Sequence, residues 1–109
     1  VTTDELERVF AALDHAARRH ILQVLHAHGG GMAAGEIAGR FSHSWPTTTR
    51  HLATLVDAGL VTTTRHGRER HYWLDREALR RALDLWLAGV GLTAEIRGGS
   101  TVRRGATRS

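Results

Sequence analysis

Within the stretch SHSWPTTTRHL, Ser44, Trp45, Thr47, Thr49, Arg50 and His51 bring hydroxyls, an indole, a guanidinium and an imidazole into eight residues. A second group, Arg65, His66, Arg68, Arg70 and His71, sits in seven residues against one acid, Glu69. Neither group has the makings of a nucleophile or a general acid–base pair. Both consist of hydrogen-bond donors, acceptors and cations, the chemistry that reads a polar, anionic surface. An arginine can bind guanine through two hydrogen bonds, and a threonine can donate, accept or present its methyl to thymine. Basic side chains on a turn can hold phosphate or enter a minor groove.

Composition narrows the classes further. All 15 basic residues of the 109 are arginine, so there is no lysine for a Schiff base, a P-loop phosphate or general-base work. Cysteine is absent, which removes disulfides, thiol nucleophiles and thiolate metal sites. Paired catalytic carboxylates, an HExxH pattern and a nucleophile elbow are also lacking, and no enzyme is expected. No apolar run approaches the roughly 20 residues of a membrane span, and the chain does not open like a signal peptide. A cytoplasmic protein without a membrane partner is expected.

The net charge is +4, and the last thirteen residues, RGGSTVRRGATRS, hold four arginines and no acid. Residues 1–96 are therefore formally neutral, and any basic footprint there arises from local clustering. The expected organisation is one domain over 1–96, followed by a basic flexible tail over 97–109.

The elements that position the two groups follow from periodicity. Leu6, Val9, Phe10 and Leu13 recur at helical spacing behind a threonine cap. Asp14 is the expected cap of a second helix to about His28, which Gly29, Gly30 and Gly31 stop. A short helix is expected from Met32 to Arg40. Ser44 then caps a longer one to Ala58, with Pro46 in its first turn and Gly59 after its end. VTTTRHGRERHYWL reads as two strands turning at His66 and Gly67. Asp75 caps a last helix bearing Leu79, Leu83, Leu85, Trp86, Leu87, Val90 and Leu92, so apolar at its end that it needs a partner surface.

The order α-α-α-α-β-β-α gives a mainly α fold of five helices with a small β-hairpin, the winged helix-turn-helix arrangement. In the Ser44–Ala58 helix, Thr48, Leu52, Leu55 and Val56 share the core face. Thr47, Arg50 and Thr54 point away, with Thr49 and His51 on the flanks. A first turn of this kind suits the major groove of double-stranded DNA.

ALDHAARRHILQVL, GEIAGRF, SWPTTTRHLATLVDAGLV and GRERHYWLD, in this order across about Val9 to Leu87, resemble the ArsR-type (ArsR/SmtB) bacterial winged-helix repressors. The resemblance implies a homodimer built on the first and last helices, through Leu6, Val9, Phe10, Leu83, Trp86, Leu87 and Val90. Each protomer would place its Ser44 helix in successive major grooves of an imperfect palindrome. Trp45, Thr47, Thr49 and Arg50 match the positions that face DNA in such proteins, and Arg65 to Arg70 match the wing. Two positions depart from the pattern: residue 45 often holds a smaller polar side chain, and residue 70 commonly an apolar one.

The metal sites of that family are not matched. MAAGEIAGRF has no cysteine, and DREALRRALDLWLAGVGL has no histidine. His26 and His28, two apart on a helix, and His15 and His20, five apart, point in different directions. No metal and no cofactor are expected. The reading is a dimeric, sequence-specific repressor. The alternatives are a protein-interaction module using the wing with Trp45 or Trp73, and a metal-responsive repressor with a non-standard histidine site.

Overall fold

The structure is a computed structural model that describes residues 2–92. The 97–109 segment, expected to be a basic tail, lies outside the described residues.

Helix α1 (Thr3–Leu13) starts with a reciprocal cap: the Thr2 hydroxyl accepts from the Glu5 amide, and the Glu5 carboxylate accepts from the Thr2 amide. That bond to the Thr2 backbone holds the Glu5 carboxyl below its ordinary range. Helix α2 (Ala16–Ala27) is capped by His15, whose Nδ1 accepts from the Ala17 amide at 3.2 Å. The expected cap, Asp14, instead closes α1, its amide donating to the Ala11 carbonyl. The α1–α2 corner is one residue longer than the capping preference predicts.

A strand, β1 (Gly31–Ala33), follows, and only then a five-residue helix, α3 (Ala34–Ala38). The third helix expected over Met32–Arg40 thus begins as strand and is shorter. Glycine-rich sequence gains little from a helix, whereas the edge of the neighbouring strand offers unpaired amides and carbonyls. Pairing wins, and it buries Met32 and Ala33. Helix α4 (Trp45–Asp57) runs from its Ser44 cap, and Gly59, with φ 81°, reverses the chain after it. Strands β2 (Val61–His66) and β3 (Glu69–Leu74) form the hairpin, and α5 (Arg76–Gly89) closes the described chain behind its Asp75 cap.

The sheet order is β1-β3-β2, all antiparallel. β3 is central: Gly31, Met32 and Ala33 pair with Trp73, Tyr72 and His71 on one side, and Val61 to His66 pair with Leu74 to Glu69 on the other. Gly31 has a steric reason to be glycine, since a Cβ there would stand 2.2 Å from Cε3 of Trp73. Two backbone bonds clamp the base of the hairpin, Leu74 N–H to the Gly30 carbonyl at 2.7 Å and Asp75 N–H to the Leu60 carbonyl at 2.9 Å.

The core lies where α1, α2, α4 and the sheet base meet, around Ile21, Leu25, Ile37, Leu52, Leu55, Leu60 and Val61. Thr48, Leu52 and Leu55 bury the inner face of α4, as helical phase predicts. Among the described residues, no helix is long and apolar enough to cross a membrane.

Candidate nucleic-acid interface

The first turn of α4 is organised by three side chains at successive i, i+3 positions. The Ser44 hydroxyl accepts from the Thr47 amide at 3.3 Å and lies 2.9 Å from the Thr47 hydroxyl, to which it donates. The Thr47 hydroxyl also accepts from Nη2 of Arg50 at 3.3 Å. The guanidinium is thereby laid along the exposed start of the helix, with donors to spare. Thr49 and Arg50 are exposed, whereas Thr47 is half-buried by these contacts. The relay is visible in sequence only as a spacing, and the cap was its one legible member.

Trp45 is 56% exposed, yet its Cη2 would be 3.7 Å from a Cβ placed on Gly35. One edge of the indole rests over α3 while the rest faces solvent.

His51 is half-buried and turned to the scaffold. Its Nδ1 lies 3.2 Å from Nη1 of Arg18 on α2, and its ring is 4.5 Å from that of His15 and 5.8 Å from that of His43. Burial first, then the neighbouring His15 and the Arg18 guanidinium, pushes its pKa below the usual imidazole value. Arg18 was absent from the sequence-predicted site, because a contact across 33 positions leaves no local pattern, and His43 was absent because it precedes the helix whose phase selected the others.

The hairpin divides the second group between its faces. Strand alternation puts Arg65 and Arg70 with Thr63 and Tyr72 on one face, and His66, His71 and Trp73 on the other. Arg70 donates to the Thr63 hydroxyl at 3.3 Å, and both line a groove against Ala53, Val56 and Asp57 of α4. The arginine-bearing face therefore adjoins the helix that carries Arg50. On the far face the His66 and His71 rings are 4.6 Å apart, His71 stacks on Trp73, and the indole N–H donates to Thr64 at 3.0 Å. Arg68 is exposed at the turn. Arg65, His66, Arg68 and Arg70 are close in sequence but do not form one patch.

The histidines weighed as metal ligands are also kept apart. His26 Nδ1 accepts from Arg76 at 2.9 Å, while His28 Nδ1 lies 3.0 Å from the Val24 carbonyl of its own helix. His20 packs edge-on against Phe41. Among the described residues, no group of three or more His, Asp or Glu side chains is arranged to hold a metal ion.

Elsewhere on the molecule, α1 and α5 expose an apolar face. Phe10 meets Trp86 edge-to-face at 6.0 Å, and Trp86 remains 47% exposed beside exposed Leu83 and Val90. Leu6 and Leu87 are half-buried. Val9, expected at an intersubunit contact, is only 4% exposed because it packs into the protomer's own core.

Residues 13–64, from the end of α1 into the hairpin, match the family described as a helix-turn-helix domain. Over 82 residues the chain is 34% identical to the transcriptional repressor SdpR of Bacillus subtilis (strain 168), covering 75% of this chain and 88% of that protein. Its fold is similar to the crystal structure of the ArsR family transcriptional regulator RHA00566, with a TM-score of 0.74 and 28% identity over 93% of this chain and 98% of the other. It is also similar to the solution structure of the homodimeric winged helix-turn-helix DNA-binding domain Mb0332 from Mycobacterium bovis, a possible ArsR-family regulator, with a TM-score of 0.64 and 26% identity over 80% of each chain. With a third of its residues identical over most of a transcriptional repressor's length and its fold shared with regulators of this kind, the chain belongs to the ArsR family of winged helix-turn-helix transcriptional regulators.

Proposed function

We propose that the protein is a dimeric, sequence-specific repressor that reads an imperfect palindrome in double-stranded DNA. Each protomer lays α4 in a major groove, with Arg50, Thr49 and the exposed part of Trp45 meeting base edges. The wing holds the adjoining backbone through Arg65 and Arg68. Arg70, already bonded to Thr63, chiefly shapes the groove between wing and helix. The observation that carries this reading is the Ser44–Thr47–Arg50 relay, which holds a guanidinium ready on an exposed helix start. The apolar α1–α5 face supports the dimer, as does the homodimeric state of the similar Mycobacterium bovis domain. Two α4 helices so related would meet half-sites about 34 Å apart.

Fluorescence anisotropy with the DNA upstream of the protein's own reading frame, against random duplex in a salt series with and without chelator, tests the proposal. Arg50→Ala is expected to weaken specific binding by about 1 to 3 kcal/mol and to leave random binding nearly unchanged. Arg68→Ala is expected to weaken both and to reduce the salt slope by about one unit. Equal losses on both duplexes from both substitutions would refute the division of roles.

A further inference from the structure

One side chain joins three helices behind the exposed turn. Nε of Arg18 donates to the Ala12 carbonyl at 2.7 Å and Nη2 to the Ala11 carbonyl at 3.1 Å, both in the last turn of α1. Its Nη1 lies 3.2 Å from Nδ1 of His51 on α4. A guanidinium can only donate. The contact therefore fixes the state of His51: a neutral ring with its proton on Nε2 and a lone pair on Nδ1.

We propose that Arg18 and His51 are positioning residues that hold α4 in its DNA-reading orientation only while His51 is unprotonated, so that preference for the cognate site falls as the pH falls. The inference rests on the DNA-reading function proposed above. Protonation at Nδ1 removes the acceptor and sets an imidazolium against a guanidinium. The α1 carbonyls keep Arg18 where it is, so the repulsion acts on α4.

The groups facing His51 reinforce the effect. From α2 come Arg18 and His15, from the α3–α4 turn comes His43, and from α4 itself comes Arg50. Each of these disfavours a proton on His51. His15 is itself an acceptor, because its Nδ1 caps the Ala17 amide. Acid thus removes the α2–α4 tie at this corner. The sign follows from the lowered pKa. The tie is complete above the ordinary imidazole value of about 6.5 and is lost as the pH falls through the lower value of folded His51. Added positive charge at low pH acts in the opposite sense, raising affinity for any duplex, so the quantity to follow is the ratio of cognate to random affinity.

The full chain is titrated with cognate and random duplexes at constant ionic strength from about pH 7.5 to about pH 5, a window that brackets imidazole titration. Circular dichroism verifies the fold at each point. The wild-type ratio is expected to fall about tenfold or more, as for the loss of a hydrogen bond to a charged group. His51→Asn keeps an acceptor oxygen near the Nδ1 position without a titrating group, and its ratio is expected to stay flat. Arg18→Met should show the low ratio already at about pH 7.5. A pH-independent wild-type ratio, or a His51→Asn ratio that falls in parallel with it, would overturn the inference.

Two outcomes separate this inference from the function beneath it. Absence of any cognate preference at about pH 7.5 refutes the DNA-reading function itself. Imidazole nitrogen NMR on the DNA-free protein tests the tie alone, where a proton on Nδ1 of His51 at that pH would overturn the pairing even if cognate binding is strong. Should Arg18→Met fail to fold, the His51→Asn profile and the tautomer still decide.

Discussion

Replacing Gly31 by alanine presses a methyl onto the face of a neighbouring ring. The added Cβ would stand 2.2 Å from Cε3, 2.4 Å from Cζ3 and 2.7 Å from Cδ2 of Trp73. Carbon atoms rest at about 3.5 Å or more, so the indole must move by over about 1 Å. Its N–H is tied to Thr64 at 3.0 Å and its face stacks on His71, so displacement loosens both contacts. Overpacking of this kind costs about 1 to 3 kcal/mol, against which the loss of glycine's freedom in the unfolded chain returns about 0.4 to 1 kcal/mol. The net expectation is a destabilisation of about 1 to 2 kcal/mol, or roughly 4 to 16 °C in Tm for a domain of this size. Thermal unfolding followed by circular dichroism, with indole emission as a local probe, measures both effects. In a Trp73→Val background the same Gly31→Ala change should be neutral or stabilising. A Tm unchanged or raised by Gly31→Ala alone, or a penalty of the same size without Trp73, would refute the steric argument.

Other expectations follow from single contacts. Thr48 is buried and its hydroxyl has no hydrogen-bond partner among the described residues, so Thr48→Val should stabilise by about 1 kcal/mol in denaturant titrations. Ser44→Ala should cost about 1 kcal/mol through the lost α4 cap. Ser44→Asp should keep the cap, so its unfolding midpoint should stay near wild type while a carboxylate beside the phosphates weakens every duplex. Leu83→Glu, on the exposed α5 face, should convert a dimer to a monomer in sedimentation without altering helix content.

How far these features could be read from the chain depends on the range of the interaction behind them. The inner face of α4 is fixed by residues three and four apart, so Thr48, Leu52 and Leu55 were legible. The same holds for the Ser44 and Asp75 caps, each set by the next three residues. β1 was not legible, because its three residues carry no alternation and its partner strand begins more than thirty positions later. The inward spacing of Ile37 and Phe41 suggests a helix through the whole segment instead. Asp14 and His15 compete for one corner, and the closing bond of α1 decides between them. The wing residues formed one group in sequence because proximity was weighed above the two-residue period that sends His66 and Arg65 to opposite faces. Val9 and Leu6 look alike at helical spacing, and only the packing of α1 against its neighbours distinguishes core from surface.

The central position of β3 sets the mechanics of the wing. Over His71 to Trp73 it is paired on both sides, while from Glu69 to Arg70 it is paired on one. The hairpin is a cantilever, built in at its root and free over its outer span. Bending is therefore confined to the segment that carries Arg65, Arg68 and Arg70, and in the proposed complex a duplex of wider or narrower groove would deflect the tip without straining the core. Amide hydrogen exchange along one strand should grade accordingly, slow at Tyr72 and fast toward Glu69.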